Sequence, residues 1–311
     1  MLSALQPSGR PHIGNYFGAM KQFIDFQNKD LDCLIMIADY HALNSTRDPK
    51  ILRQNIIDLV IDYLAIGLDP KKITIFKQSD ISEHTELTWI FDTITTMPFL
   101  MRAHAYKDAE AKKKELSVGI FNYPILMASD ILLYEVDIVP VGQDQKQHVE
   151  YTRDIAEKFN HLYGETFKLP EAYIPKEVAT VPGIDGEKMS KSYGNTIPLF
   201  SSDDEIKKLV MSIVTDSSGE TPKNVYAIHK LFRDEKYLTD LYESKKGKYK
   251  DLKEALAEDI TAFIKPLREK RESISSDVDL IKSVLSNGAK TAKSRASAKM
   301  TDVRQKIGVT I

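Results

Sequence analysis

Short apolar runs alternate with longer amphipathic segments through the first half of the chain, and no other feature constrains the fold as tightly. Runs at 2–5, 34–38, 73–76 and 138–141 have the length and composition of buried strands. Between and after them, 14–26, 83–96, 122–134 and 144–162 read as helices. A further helix opens at Pro49, where a fixed φ costs nothing. It carries Ile56, Ile57, Val60, Leu64 and Ile66 at helical spacing until Gly67 stops it. Strands that alternate with helices predict an α/β fold, an open and mostly parallel sheet with helices on both faces. Such a sheet binds ligands beyond the carboxyl ends of its strands.

The second half has a different texture. Residues 182–195 are turn-rich and mark a boundary, and Ser202-Asp203-Asp204-Glu205 is a capping-box pattern. From there the chain reads as helix, with Leu252, Leu256, Ile260, Phe263, Ile264 and Leu267 in one stripe. A last helix is expected from about Ala289 to Ile307, with Ala292, Ala296, Met300, Val303 and Ile307 on one side. Residues 288–311 hold six basic side chains against Asp302, a local balance of +5 that suits nucleic acid or plain solvent. The expected division of the 311 residues is a catalytic domain over 1–195, a helical domain over 200–287 and a terminal helix over 288–311. A helical insertion at about 80–135 interrupts the sheet, and its stretch 102–115 is hydrophilic and lysine-rich.

Charge excludes little: 43 Lys and Arg stand against 45 Asp and Glu, and local patches matter more than the sum. One cysteine, Cys33 in an apolar run, rules out a disulfide framework within the chain and points to a reducing compartment. No signal-like segment is visible, and no apolar run approaches the roughly 20 residues needed to span a bilayer. The expected location is the cytoplasm, away from membranes.

Three segments carry chemistry. Gln6-Pro7-Ser8-Gly9-Arg10-Pro11-His12-Ile13-Gly14-Asn15 runs from a strand into a helix. Gly14 would let a ligand approach the backbone, and the helix N-terminus offers N–H groups to a phosphate. A surface loop with Asn15 as a cap fits these local features equally well. Neither the dinucleotide glycine fingerprint nor the P-loop pattern is present. Lys188-Met189-Ser190-Lys191-Ser192 places two lysines three apart in a glycine-flanked loop. They can converge on a polyanion, or they can simply be solvated. Asp130 stands in an otherwise apolar stretch and needs a donor, from the protein or from a ligand such as an indole N–H above Met127. A helix cap or a lysine partner is the plain alternative. Gly142 follows a strand and permits close approach, while Asp144 and Gln145 could bind an ammonium, a ribose or a carboxylate.

His12-Ile13-Gly14-Asn15 and Lys188-Met189-Ser190-Lys191-Ser192 match, in order, the two signatures of class I aminoacyl-tRNA synthetases. The chain resembles their tryptophan/tyrosine subgroup along essentially its whole length. Asp130-Ile131-Leu132-Leu133-Tyr134 and 139–148 resemble its bacterial tryptophan branch. Two positions depart from the family pattern: Ala4 stands where many members have glycine, and Ala105 where many have glutamine.

The resemblance implies a Rossmann-like sheet with an inserted helical segment and a C-terminal all-helical domain. It implies ATP as a substrate, Mg²⁺ carried mainly on its phosphates with no metal site of the protein's own, and L-tryptophan and tRNA(Trp) as partners. Asp130 would accept the indole N–H, Met127 would pack on the indole, and Tyr123 and Gln145 would hold the amino-acid end. Gln6, Pro7, Ser8, His12, Gly14, Asn15, Gly142, Gln143 and Asp144 would surround ATP, with Met189, Ser190 and Ser192 closing over it. His12, Asn15, Lys188 and Lys191 would be the catalytic set, the lysines neutralising the β and γ phosphates. The tRNA's terminal adenosine would take the amino acid, by the family's habit on its 2′-hydroxyl. The helices after residue 200 would recognise the anticodon. A homodimer is also implied, with helices around 87–100 and 124–133 as interface or as ordinary core. A tyrosine-specific ligase and a non-catalytic nucleic-acid-binding relative are the competing readings, and a nicotinamide oxidoreductase lacks its glycine fingerprint.

Overall fold

A computed structural model describes residues 1–29, 31–103, 106, 107, 110, 116–174, 181–215 and 221–311. Ala105, most of the lysine-rich stretch 102–115 and the Asp144 side chain lie outside the described residues. Three strands form one parallel ladder, β1 (Leu2–Leu5), β2 (Leu34–Ile37) and β3 (Thr74–Lys77), in the order β1-β2-β3. Two more, β4 (Ile138–Pro140) and β5 (Glu171–Tyr173), pair in parallel, and β4 lies beside β1. Four strands fall where the apolar runs predict them. β5 does not, because Glu171-Ala172-Tyr173 is too short and too polar to show a strand pattern.

Buried strands send alternate side chains to opposite faces, and the two cores follow from that. Ile35, Ile37 and Ile75 join a core with the helix Pro49–Ala65, the segment 13–27 and the long helix Tyr249–Ser275. Leu34, Met36 and Phe76 join a second core with the helices Glu83–Ile94, Tyr123–Leu132, Lys146–Tyr163 and Val278–Lys306. The helix Pro49–Ala65 opens with Asp48 accepting from the Lys50 and Ile51 amides, directly before Pro49. Ser202 caps the helix Asp203–Met211 as its pattern predicts, accepting from the Glu205 amide.

The last helix starts at Val278, eleven residues before the expected position, because Asp277 caps it by accepting from the Leu280 amide. It runs unbroken through the expected boundary at 287/288. Gly288 explains its path. A Cβ there would sit 1.8 Å from the Ile75 carbonyl oxygen, so only a bare backbone lets this helix lie against β3. The basic residues beyond Gly288 largely face acids of the catalytic body. Lys293 pairs with Glu83, Arg295 with Asp32, Lys299 with Glu135 and Arg304 with Glu86, while Lys290 stays exposed. The +5 balance therefore works mostly as a seam that docks the terminal helix.

Among the described residues no helix is long and apolar enough to cross a membrane. Cys33 is buried and free, as its apolar run suggests.

Gly288→Ala must push the last helix off β3. A loss of about 2 kcal/mol or more is expected, read as a lower urea midpoint, and an unchanged midpoint would refute the close packing.

Candidate active site

The carboxyl ends of β1, β2, β3 and β4 all feed one region. β1 leads into the loop 6–12, β2 into Ala38 and the short helix Asp39–Ala42, β3 into Gln78, and β4 into Val141 and Gly142. Two adjoining cavities open there. The smaller, about 290 Å³, is lined by Ala4, Gln6, His41, Tyr123, Met127, Asp130 and Gln145 among others. The larger, about 1030 Å³, is lined by Ser8, His12, Gly14, Asn15, Gly142, Gln143, Lys188, Met189, Ser190 and Lys191. Leu5, Ala19, Val141 and Gly142 border both.

The structure thus gathers nearly all the sequence-derived candidates, and separates them. Tyr123, Met127, Asp130 and Gln145 share the small cavity, and Gln6, expected beside ATP, opens on it too. Pro7 is buried and lines neither cavity. Ser192 also lies outside both linings, its hydroxyl 2.8 Å from that of Ser190. Tyr193, exposed beside the lysine loop, borders the large cavity.

Asp130 is 3% exposed, and the floor of the small cavity is built around its charge. Its donors are neither a helix cap nor a lysine. Gln78 Nε2 donates to Oδ1 at 2.7 Å, His41 Nε2 lies 2.7 Å from Oδ2, and His84 Nδ1 lies 2.6 Å from Oδ1. His84 is anchored behind by the Tyr134 hydroxyl, 2.9 Å from Nε2. Burial pushes the Asp130 carboxyl up, but the His41 bond and the His84 charge and bond hold it down to about 2. A fixed anion at the end of an apolar cavity can accept a hydrogen bond from a buried donor. It cannot easily accept an apolar group in that place. His41, Gln78 and His84 carry no local motif, and only their convergence from three elements reveals them.

The first motif folds onto itself. His12 Nδ1 accepts from the Asn15 amide, and Asn15 Oδ1 accepts from the His12 amide, a reciprocal cap on the helical turn Ile13–Asn15. The Ile13 amide donates to Ile197. The amides of His12, Ile13 and Asn15 are therefore already used, and of these Asn15 lies at the helix N-terminus expected to offer free N–H groups. Gly14 has a second purpose as well. A Cβ there would lie 2.9 Å from His12 Nδ1, so glycine leaves room for the His12 ring to fold over the turn, with Met189 of the second motif in contact just beyond. The following turn, Tyr16–Met20, takes π geometry, and its Gly18 and Ala19 line the large cavity.

Lys191 bridges the motifs directly. Its ammonium donates to the Gly9 carbonyl at 2.8 Å and the Ser8 carbonyl at 3.2 Å. The lysine loop is held by a residue without a predicted role. Buried Asn195 accepts from the Ser190 amide at 2.8 Å and donates to Asp185 at 2.8 Å and to the Lys188 carbonyl at 3.2 Å. The sequence signal was a lone asparagine after Gly194, whose φ is +64°. Lys188 itself remains exposed at the mouth.

Burial, then the charge of Lys191, lowers the His12 pKa to about 4. Its unfolded value lies near 6.5, so between those limits the unfolded chain binds more protons. Stability contributed by His12 is complete above pH 6.5 and falls as pH drops toward 4, by up to about 1.4 kcal/mol per pH unit. His12→Asn is expected to flatten that part of a stability–pH curve followed by urea melts. Asn195→Ala is expected to cut turnover about ten-fold by releasing the lysine loop, with a much smaller change in KM for the occupant of the small cavity.

The family described as tRNA synthetases class I (W and Y) matches residues 1–276. A tryptophan–tRNA ligase of Fusobacterium nucleatum subsp. nucleatum is 48% identical, the alignment covering 99% of this chain and 97% of that protein. One from Campylobacter jejuni is 47% identical, with 99% of each covered. The crystal structure of the Campylobacter jejuni tryptophanyl-tRNA synthetase complexed with ADP and tryptophan superposes with a TM-score of 0.92, at 46% identity and 99% coverage of both chains.

Proposed function

The chain belongs to the class I tRNA synthetases of the tryptophan and tyrosine group, and from that premise we infer how its own residues carry out the reaction. It is an ATP-dependent ligase that activates tryptophan and transfers it to tRNA(Trp). The observation that carries the residue assignments is the buried, ionised Asp130 at the end of an apolar cavity adjoining a larger basic one.

Tryptophan occupies the small cavity. Asp130 accepts its indole N–H, Met127 packs on the ring, and Tyr123 and Gln145 hold the amino and carboxylate end. Phenylalanine offers Asp130 no donor, and the smaller six-membered ring of tyrosine carries its phenol O–H in a different place, so neither reproduces the indole N–H contact. ATP occupies the large cavity, among Ser8, His12, Gly14, Asn15, Gly142 and Gln143, while Gln6 faces the small cavity and buried Pro7 shapes the loop behind. Neutral His12 and Asn15 shape its floor. The tryptophan carboxylate attacks the α-phosphate in line, so no nucleophile of the protein is needed. Negative charge then grows on the departing pyrophosphate, and Lys188 and Lys191 compensate it. Lys191 reaches the phosphates by exchanging the Ser8 and Gly9 carbonyls for them, while Met189, Ser190 and Ser192 move with it.

Mg²⁺ belongs with ATP in this reading. The described lining of the large cavity supplies cations and amides, and the phosphates are the natural ligands of a hard cation. The terminal adenosine of tRNA(Trp) then accepts tryptophan from the adenylate. Residues 1–195 form the catalytic domain, 200–287 recognise the anticodon, and 288–311 dock back through their ion pairs. A homodimer is supported by exposed apolar side chains on the insertion, where Trp89 is 71% and Met97 60% exposed. The opposite face of the same helix, Leu87, Phe91 and Ile94, is core, as is the Ile125–Leu132 side of the next long helix. Cys33, buried and free, fits the reducing cytoplasm.

Amino-acid-dependent ATP–pyrophosphate exchange tests the reading across all twenty amino acids. Exchange is expected with tryptophan alone. Asp130→Asn keeps the shape but removes the charge, and should lower kcat/KM for tryptophan about 100-fold. Exchange with tyrosine would overturn the specificity, and no exchange with any amino acid would overturn the enzyme.

A further inference from the structure

The helical domain contains a buried polar chain that tryptophan activation does not use. His229 is fully buried. Its Nδ1 lies 3.2 Å from the Tyr242 hydroxyl and its Nε2 2.8 Å from Asp259 Oδ2. The other carboxylate oxygen accepts from Arg233 Nη2 at 2.6 Å. Burial raises the Asp259 carboxyl, but Arg233 and His229 outweigh it and keep the group ionised. Such a network joins the helices, yet buried ionic pairs rarely beat apolar packing for stability alone. What it does is fix a guanidinium at the surface. The Arg233 guanidinium carbon lies 4.9 Å from the centroid of the Tyr237 ring, and the two side chains stay 45% and about 40% exposed.

We propose that Arg233 and Tyr237 form a stacking platform for an unpaired base of the bound tRNA, a site that rests on the tRNA-ligase reading above. Single-stranded nucleotides are held by stacking on aromatic rings and on planar guanidinium groups, with cations nearby for the phosphates. The surroundings supply those cations. Lys230 is exposed with its ammonium 5.9 Å from the Tyr226 ring, and Lys236 is exposed on the helix Glu235–Ser244 that carries Tyr237. Asp259 pins one edge of the guanidinium and Tyr237 covers one face, which leaves the other face to solvent and to a base. Pre-set orientation matters because a free arginine side chain would lose much of its entropy on stacking.

Steady-state charging with varied tRNA(Trp) tests the platform, alongside tryptophan-dependent exchange on the same preparations. Arg233→Gln and Tyr237→Ala are expected to raise KM for tRNA about ten-fold, while exchange, which needs no tRNA, stays at the wild-type rate. Tyr237→Phe keeps the ring and should charge nearly normally. Arg233→Lys keeps the charge without the plane and should not recover. An unchanged tRNA KM in both disruptive variants overturns the proposal, as does full recovery by Arg233→Lys, which would reduce the contact to charge alone. A parallel loss of exchange would show a structural role instead. Loss of exchange in the wild-type protein would instead strike the ligase reading itself. Should Tyr237→Ala unfold in a thermal melt, the Arg233→Gln and Arg233→Lys pair decides alone.

Discussion

One buried negative charge organises the catalytic half of this protein. Asp130 lies on a helix of the insertion, and the groups that stabilise it come from elsewhere: His41 after β2, Gln78 after β3 and His84 on the helix that follows. A carboxylate so far from water is tolerated only while those donors stay in place. Its neighbours are therefore fixed by the same free energy that would otherwise expel the charge. The support reaches outward through Tyr134 to His84 and, on the helix bearing His84, through Glu83 to Lys293 and Ser297 of the last helix. The floor of the small cavity, the end of the sheet and the C-terminal helix therefore form one mechanical unit.

The nucleotide side is built differently. Its two motifs touch, with the space left by Gly14 filled by His12 and approached by Met189, and Lys191 resting on the carbonyls of Ser8 and Gly9. Neutral His12, buried beside an ammonium, adds no positive charge to be overcome when the loop moves. The turn after the first motif also stacks against the helical domain: Tyr16 and Phe17 pack edge and face on Phe263, and Phe17 meets Phe232 edge-on. A shift of that domain would therefore move Gly18 and Ala19, which line the larger cavity, and so couples the helical half to it.

Local pattern was a good guide wherever chemistry is local. Apolar runs long enough to be buried located four of the five strands among the described residues, and Ser202 and Pro49 marked helix starts because caps are set by neighbouring residues. β5 carried no such pattern. Asn195 went unnoticed because its importance lies in three bonds to a loop, not in its own surroundings. The last helix starts earlier than expected, with Ile281 and Val284 already on its buried side; Asn287-Gly288 reads locally as a break, and only its packing on β3 shows that the helix runs through. Its positive balance suits nucleic acid or solvent when read locally, because its partners Asp32, Glu83, Glu86 and Glu135 lie some 160 to 265 positions away along the chain.

By itself the sequence determined the class of fold, the two signature loops and the carboxylate that had to be matched in an apolar setting. The fold class and the carboxylate follow from periodicity and the cost of burying a charge, which act over a few residues, whereas the loops were legible through their resemblance to the family's two signatures. Only the tertiary structure decided which groups match that carboxylate, why Gly14 and Gly288 must lack a side chain, and where the basic tail spends its charge. Those answers depend on through-space distances between segments far apart in the chain, and a linear pattern does not contain them.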